Sequence, residues 1–307
     1  MSFHALQSIL VAGMLLLPSA LLDAAAIAIP NASFESPETA FVNLNIDSWQ
    51  KAAKPPDYVE GGGFLWSQLT GIFKNTPLGN FDHIDNCDGN QAIWMFAVPE
   101  AGVFQDYQSV DWNDPAPTHG FDPTFEVGKS YTFTVGAIGG GGGMLDGVTA
   151  EISLYYRSGQ GIPLTLAATT ITNTSGVFGA YTHFVDFNVS VPTVEAEDSW
   201  AGKHVGIRLR STVSADLQGG YWDFDNFRLT SHARPSVRML FAKATEGLRV
   251  SWNSELDARY QIQVSGDLNA WLDFEGTIPG SGGPISKLIP QREGTVSFVR
   301  ILTLPTP

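Results

Sequence analysis

Five stretches of the chain alternate apolar and polar residues with a period of two, and no stretch after residue 26 carries a long apolar stripe of period 3.6. They are residues 130–137 (SYTFTVGA), 148–156 (VTAEISLYY), 181–191 (YTHFVDFNVSV), 204–210 (HVGIRLR) and 221–229 (YWDFDNFRL). Alternation with β-branched and aromatic residues is the signature of strands with one face buried. The chain therefore reads as all-β. Its 32 glycines and 18 prolines suit many short strands joined by turns. The run Gly139–Gly143 sits between two such strands and reads as a flexible hairpin loop. It is no phosphate cradle, because Met144-Leu145-Asp146-Gly147 follows it rather than a Lys-Ser/Thr helix start.

The 307 residues are enough for two domains. A break falls at 231–236 (SHARPS), where a proline, a charge shift and a restart of strand patterning coincide. Beyond it, 248–253, 259–265, 268–274, 285–289 and 296–302 read as short strands of a small sandwich. The expected order is a signal peptide over 1–26, a first domain over 27–231 and a second over 237–307. The signal reading rests on the apolar core 9–17 (ILVAGMLLL), then Pro18 and the small residues around Ala24–Ala26. It implies export by the Sec route to the medium or cell surface. It also leaves no membrane span after cleavage, since the apolar stretch is short and broken by Pro18.

Charge narrows the partners. The net −14 resides in residues 27–230, which hold 9 Lys+Arg against 23 Asp+Glu, while 231–307 hold 8 against 7. Such a surface repels a nucleic-acid backbone and tolerates a cation or a neutral ligand. The lone Cys87 allows neither an intrachain disulfide nor a cysteine zinc site and reads as a small, partly buried residue. The long polar segment 111–123 reads as a loop on the ligand side.

Several segments, in order, resemble jelly rolls of the carbohydrate-binding-module type. They are the entry strand Asn31-Ala32-Ser33-Phe34-Glu35-Ser36-Pro37, the element Asp88-Gly89-Asn90-Gln91-Ala92-Ile93, the run Val103-Phe104-Gln105, the run Phe125 to Phe133, and the closing strand Tyr221 to Leu229. The variant shared with the Stig (hapalindole-type) cyclases is similar in its N-x-SFE-x-P opening, its DG-x-Q element and its FEVGKSYTFTVGAIG segment. The resemblance implies a β-jelly-roll sandwich holding a structural calcium between Glu35 and Asp225, with Asp88 as a further ligand. The tail, through Leu248–Trp252, Tyr260–Trp271 and Phe298–Ile301, resembles a small fibronectin-type-III-like module of bacterial exported proteins. It is expected to be a spacer or attachment unit.

Three functions are compatible with these features. The first is a binding module for carbohydrate or a small hydrophobic ligand, which stacks a ring face on aromatics. Trp66, Tyr107, Trp112 and Trp222 are the candidates, whereas Trp94, sharing a face with Ala92 and Phe96, reads as packed. The second is a Stig-cyclase-like enzyme, in which an acid kept protonated in an apolar pocket acts on a terpenoid-type substrate. Asp223 is the candidate acid, and it must be distinct from a calcium ligand, because the metal's field holds a carboxylate ionised. The third is a structural surface-assembly protein. No G-x-S-x-G, H-E-x-x-H or nucleotide-binding loop is present.

Overall fold

The computed structural model describes residues 24–60, 63–110, 120–179, 181–233, 240–244, 247–254, 256, 258–290 and 298–304. Among them are β-strands and one 3-10 turn, Trp66–Gln68, and no α-helix. The first twelve strands are β1 (Ala25–Ile27), β2 (Val42–Asn43), β3 (Gln50–Lys51), β4 (Thr70–Lys74), β5 (Gln91–Phe96), β6 (Gly102–Gln105), β7 (Lys129–Gly141), β8 (Thr149–Arg157), β9 (Pro163–Thr172), β10 (Val185–Val191), β11 (Gly206–Ser211) and β12 (Tyr221–Ala233). They form two antiparallel sheets. One runs β10-β7-β12-β5-β4-β2, with β1 also paired to β12, and the other runs β3-β6-β11-β8-β9. This is the expected jelly-roll sandwich. Its core lies between the sheets and takes Ile93, Met95, Phe133, Val135, Trp222 and Phe224 from the first, and Val103, Ile152, Leu154, Ile207 and Leu209 from the second.

The closing strand β12 changes which of its faces looks inward. Trp222 and Phe224 are buried at even positions, Phe227 and Leu229 at odd ones. The switch comes from a bulge. Between the pairs Asp225↔Gly136 and Arg228↔Thr134, β12 takes three steps while β7 takes two. One extra residue reverses the facing of everything after it. Asn226 sits in the bulge at φ 58°, and its side-chain amide donates to the Asn86 carbonyl at 2.9 Å. Strict alternation across 221–229 predicts Asp225 on the face of Phe227. The bulge instead leaves Asp225 on the face of Asp223, away from the second sheet.

A second irregularity corrects the glycine loop. β7 runs through to Gly141, and between Tyr221↔Gly141 and Asp223↔Ile138 it takes the longer path. Gly140, at φ 87°, supplies the left-handed backbone this bulge needs. The expected entry strand at 31–37 is a turn, with Asn31 and Phe34 both at positive φ.

Six more strands follow: β13 (Leu240–Ala244), β14 (Gly247–Asn253), β15 (Arg259–Ser265), β16 (Leu272–Pro279), β17 (Pro284–Pro290) and β18 (Phe298–Leu304). They make two three-stranded sheets, β13-β14-β17 and β16-β15-β18. Val250, Trp252 and Ile289 from one sheet pack with Tyr260, Ile262 and Ile278 from the other. This is the smaller β-sandwich. The expected break at 231–236 meets β12, which continues to Ala233, while 234–239 lie outside the described residues.

Candidate functional site

The face of the first sheet turned away from the core carries a cavity of about 940 Å³. Its floor follows from strand register. Asp223 on β12 pairs with Trp94 on β5 and with Ile138 on β7, and Tyr221 pairs with Phe96. Directly paired residues point to the same face. Asp223 is thus flanked on both sides by apolar side chains. Loops bearing Phe41, Leu44, Phe64 and Ile84, the glycines 140–143 and Tyr181 complete the walls.

Asp223 is half-buried and, among the described residues, its carboxylate has no hydrogen-bond or ion-pair partner. Loss of water with nothing in exchange disfavours the charged form. Burial pushes its pKa up to about 7. A carboxyl with such a pKa holds a proton near neutrality and can release it to a substrate. The Tyr221 phenol is pushed up as well, by burial and then by the Asp223 charge, so it stays neutral.

A second acidic locus lies two residues along β12. Asp225 is fully buried, and its Oδ2 accepts the Asp88 amide at 2.7 Å. Glu35 Oε1 accepts the Asn90 and Gln91 amides, both at 2.7 Å. The two carboxylates therefore grip the same turn, 88–91, from the first and last parts of the jelly roll. Gly89 is required there, since a Cβ would come within 2.6 Å of the Glu35 carboxyl carbon. Asp225 Oδ1 is buried with no hydrogen-bond partner, an orphaned hard oxygen of the kind a calcium ion satisfies. Burial, opposed by hydrogen bonds from the Asp88 and Asn226 amides, raises the Asp225 pKa to about 7. Asp88 takes part through its backbone amide, and its side chain is exposed. Among the described residues, no three His, Cys, Asp or Glu side chains converge as a metal site. A cation at Glu35 and Asp225 would need backbone carbonyls to complete its shell. Cys87, beside them, is half-buried, and burial with the Asp225, Glu35 and Asp88 charges pushes its thiol up, away from a reactive thiolate.

The aromatics expected to hold ligand lie elsewhere. Trp222 is fully buried, 5.9 Å from Phe224 in the core, because the even positions before the bulge face inward. Trp66 is buried in the 3-10 turn, its indole donating to the Ala52 carbonyl at 2.7 Å and its ring edge-on to Tyr58. Tyr107 is half-buried and stacks on the His204 ring at 4.2 Å, outside the cavity. Trp112 lies outside the described residues, as does most of the 111–123 loop. Trp94, read as packed, is half-buried on the cavity floor. It does share a face with Ala92 and Phe96, but that face looks away from the core.

Residues 25–230 match the model of the HpiC1-like family, described as HpiC1 cyclase. The chain belongs to the HpiC1-like family. The match spans the jelly roll from β1 to the bulged β12, so the sequence resemblance to Stig cyclases holds at the level of family and fold. The small sandwich lies beyond the match. A Stig cyclase from Fischerella sp. TAU, solved in complex with (3Z)-3-(1-methyl-2-pyrrolidinylidene)-3H-indole, is 21% identical. That comparison covers 69% of this chain and 99% of that one, with a TM-score of 0.48. An apo-form cyclase from Fischerella sp. is 24% identical over 69% of this chain and 98% of that one, TM-score 0.49. The CBM22-1 xylan-binding domain of Paenibacillus barcinonensis Xyn10C is 14% identical over 61% of this chain and 86% of its own, TM-score 0.31. No curated protein matches the chain.

Proposed function

We propose that this HpiC1-like chain is an acid-using cyclase or isomerase acting on an unsaturated, apolar, terpenoid-type substrate. The observation that carries the reading is Asp223: a carboxyl between Trp94 and Ile138, on the floor of an aromatic cavity and separate from the Glu35–Asp225 locus. In this reading Asp223 gives its proton to a substrate alkene carbon. The adjacent carbon becomes cationic and is stabilised by the surrounding rings. A π bond of the same substrate then attacks it, forming a carbon–carbon bond. A proton lost from a neighbouring carbon returns to the carboxylate, so the net change is isomerisation. Asp225 cannot share this task while holding a metal. We assign Glu35 and Asp225 to a structural calcium, and the N-terminal segment to export. The small sandwich is taken as a spacer or attachment unit.

The test is turnover of a prenylated indole in deuterium oxide. Cyclised product carrying one deuterium is expected from the wild type. Asp223→Asn is expected to lose at least ~100-fold in rate, within the usual contribution of a general acid. Undiminished turnover by that variant would sink the reading.

A second reading is a non-catalytic binding module. Phe41 and Tyr181, 77% and 62% exposed at the cavity wall, are the observation that favours it. Exposed aromatics offer platforms for a sugar ring. Saturable binding of an oligosaccharide to unchanged protein, without product from the indole, would decide for it.

A further inference from the structure

Two rings of the cavity floor lie opposite glycines. Gly71 on β4 pairs directly with Trp94, and Gly141 on β7 pairs directly with Tyr221. A Cβ at Gly71 would stand 2.2 Å from Trp94 Cη2, and one at Gly141 would stand 2.4 Å from Tyr221 Cε2. The indole and the phenol therefore occupy the space that a neighbouring side chain would take, and each lies down across the adjacent strand. Backbone dihedrals do not demand glycine there, although a Cβ would also stand 2.6 Å from the Asn43 carbonyl oxygen at Gly71 and 2.7 Å from the Tyr221 carbonyl oxygen at Gly141. Neither residue is among those at positive φ, unlike Gly140, Gly142 and Gly143. A glycine inside a strand weakens it and often marks a close approach by another group. Here the nearest approaching group is the ring, with a neighbouring carbonyl oxygen next.

A ring lying along the sheet offers its face to whatever sits above it. Trp94 and Tyr221 are both half-buried and both line the cavity, Trp94 across the strand pairing from Asp223 and Tyr221 two residues before it on β12. The same pairing occurs once on the other sheet, where Tyr155 covers Gly206. That ring is buried, its hydroxyl is bonded to Asp106, and the Arg208 guanidinium lies 5.6 Å over its face. The difference lies in the open space above Trp94 and Tyr221.

We propose that Gly71 and Gly141 are specificity-determining positions, which lay Trp94 and Tyr221 flat and so give the cavity the depth to seat a flat, fused-ring apolar ligand. The proposal rests on the reading of this cavity as the ligand site, and it names the shape of ligand the cavity takes. A methyl group at either position would lift the ring off the sheet into the volume the ligand uses.

The neutral fluorophore N-phenyl-1-naphthylamine is a suitable probe, titrated against the full chain, with toluene as a small competitor. Gly71→Ala and Gly141→Ala are each expected to weaken the probe by about tenfold or more, as overpacked sites do. Toluene binding is expected to persist in both. Gly63→Ala, where an added methyl meets nothing within 4 Å, is expected to bind the probe like wild type. Shrinking the displaced ring supplies the decisive arm: Gly71→Ala with Trp94→Leu, and Gly141→Ala with Tyr221→Leu, are expected to bind the probe more tightly than Gly71→Ala and Gly141→Ala alone. A glycine that served folding alone would not be rescued this way. Wild-type affinity in both single variants, no rescue in either folded double variant, or no probe binding by the wild type would each overturn the proposal. The probe offers no alkene to protonate in a cyclisation, so a failed deuterium transfer from Asp223 leaves this result standing, and the reverse also holds.

Discussion

Asp223 faces Trp94 across the β5–β12 pairing, with Ile138 on its other flank. An acid in that place is a cost to the fold and a resource for chemistry. The cost has a measurable pH dependence. The folded carboxyl has a pKa of about 7, whereas an unfolded aspartate titrates near ~4. The neutral form's stabilising share is fully present below the unfolded value and is lost as pH rises through 7. Melting temperature is therefore expected to fall between pH 5 and pH 8. In Asp223→Asn that fall should be smaller, with the variant gaining most at pH 8. Thermal melts at both pH values check this, and parallel falls would refute the effect of burial on Asp223.

At the other acidic locus the expected lever is a cation. Chelator should lower the melting temperature by a few degrees or more, and added calcium should restore it. Asp225→Asn should abolish the response, since Asp225 Oδ1 is the oxygen without a partner. Calcium needs the ionised carboxylate, so the shift should shrink as pH falls below about 7. Melts with and without EGTA at pH 6 and 8 test both statements.

Trp222 and Trp94 are separated by one residue of register and should behave oppositely. Trp222→Ala removes a fully buried core side chain and should cost about 3–5 kcal/mol of stability. Trp94→Leu should cost far less and should alter ligand affinity instead. Denaturant unfolding and probe titration of the two variants make the comparison.

Asp106 holds the second sheet together from beneath. It is buried and accepts from the Tyr155 hydroxyl and from Arg157 Nε at 2.8 Å, with Arg157 Nη2 at 2.7 Å. Asp106→Ala strands a partly buried guanidinium. It should destabilise by about 3–5 kcal/mol, read in urea unfolding. Probe binding on the opposite sheet should persist in the fraction that stays folded.

Much of the fold was legible because burial on one face leaves a period of two. Residues 148–156 and 259–265 match β8 and β15 to within one residue, and 130–137 lie inside β7, which runs on to Gly141. The pairing of Glu35 with the closing strand of the jelly roll was legible only through family resemblance, and the structure brings Glu35 and Asp225 to one turn. Asp223 was legible as an acid set among aromatics. The aromatics around it were misread. Alternation tells which residues share a face and is silent on whether that face meets the other sheet or a cavity. Trp94 illustrates the point: it was placed correctly on the face of Ala92 and Phe96 but given the wrong surroundings, and Trp222, read as a ligand contact, lies in the core.

The sequence alone therefore determined the class of structure, the strand-rich order of the chain and the acidic character of its first part, all of which follow from local period and composition. The tertiary structure decided which face each strand turns inward. A single extra residue at Asn226 reverses β12, and a pattern read residue by residue does not register it. The same long-range pairing set Gly71 beneath Trp94 and Gly141 beneath Tyr221. These partners are distant in sequence, and only the ladder brings them opposite one another.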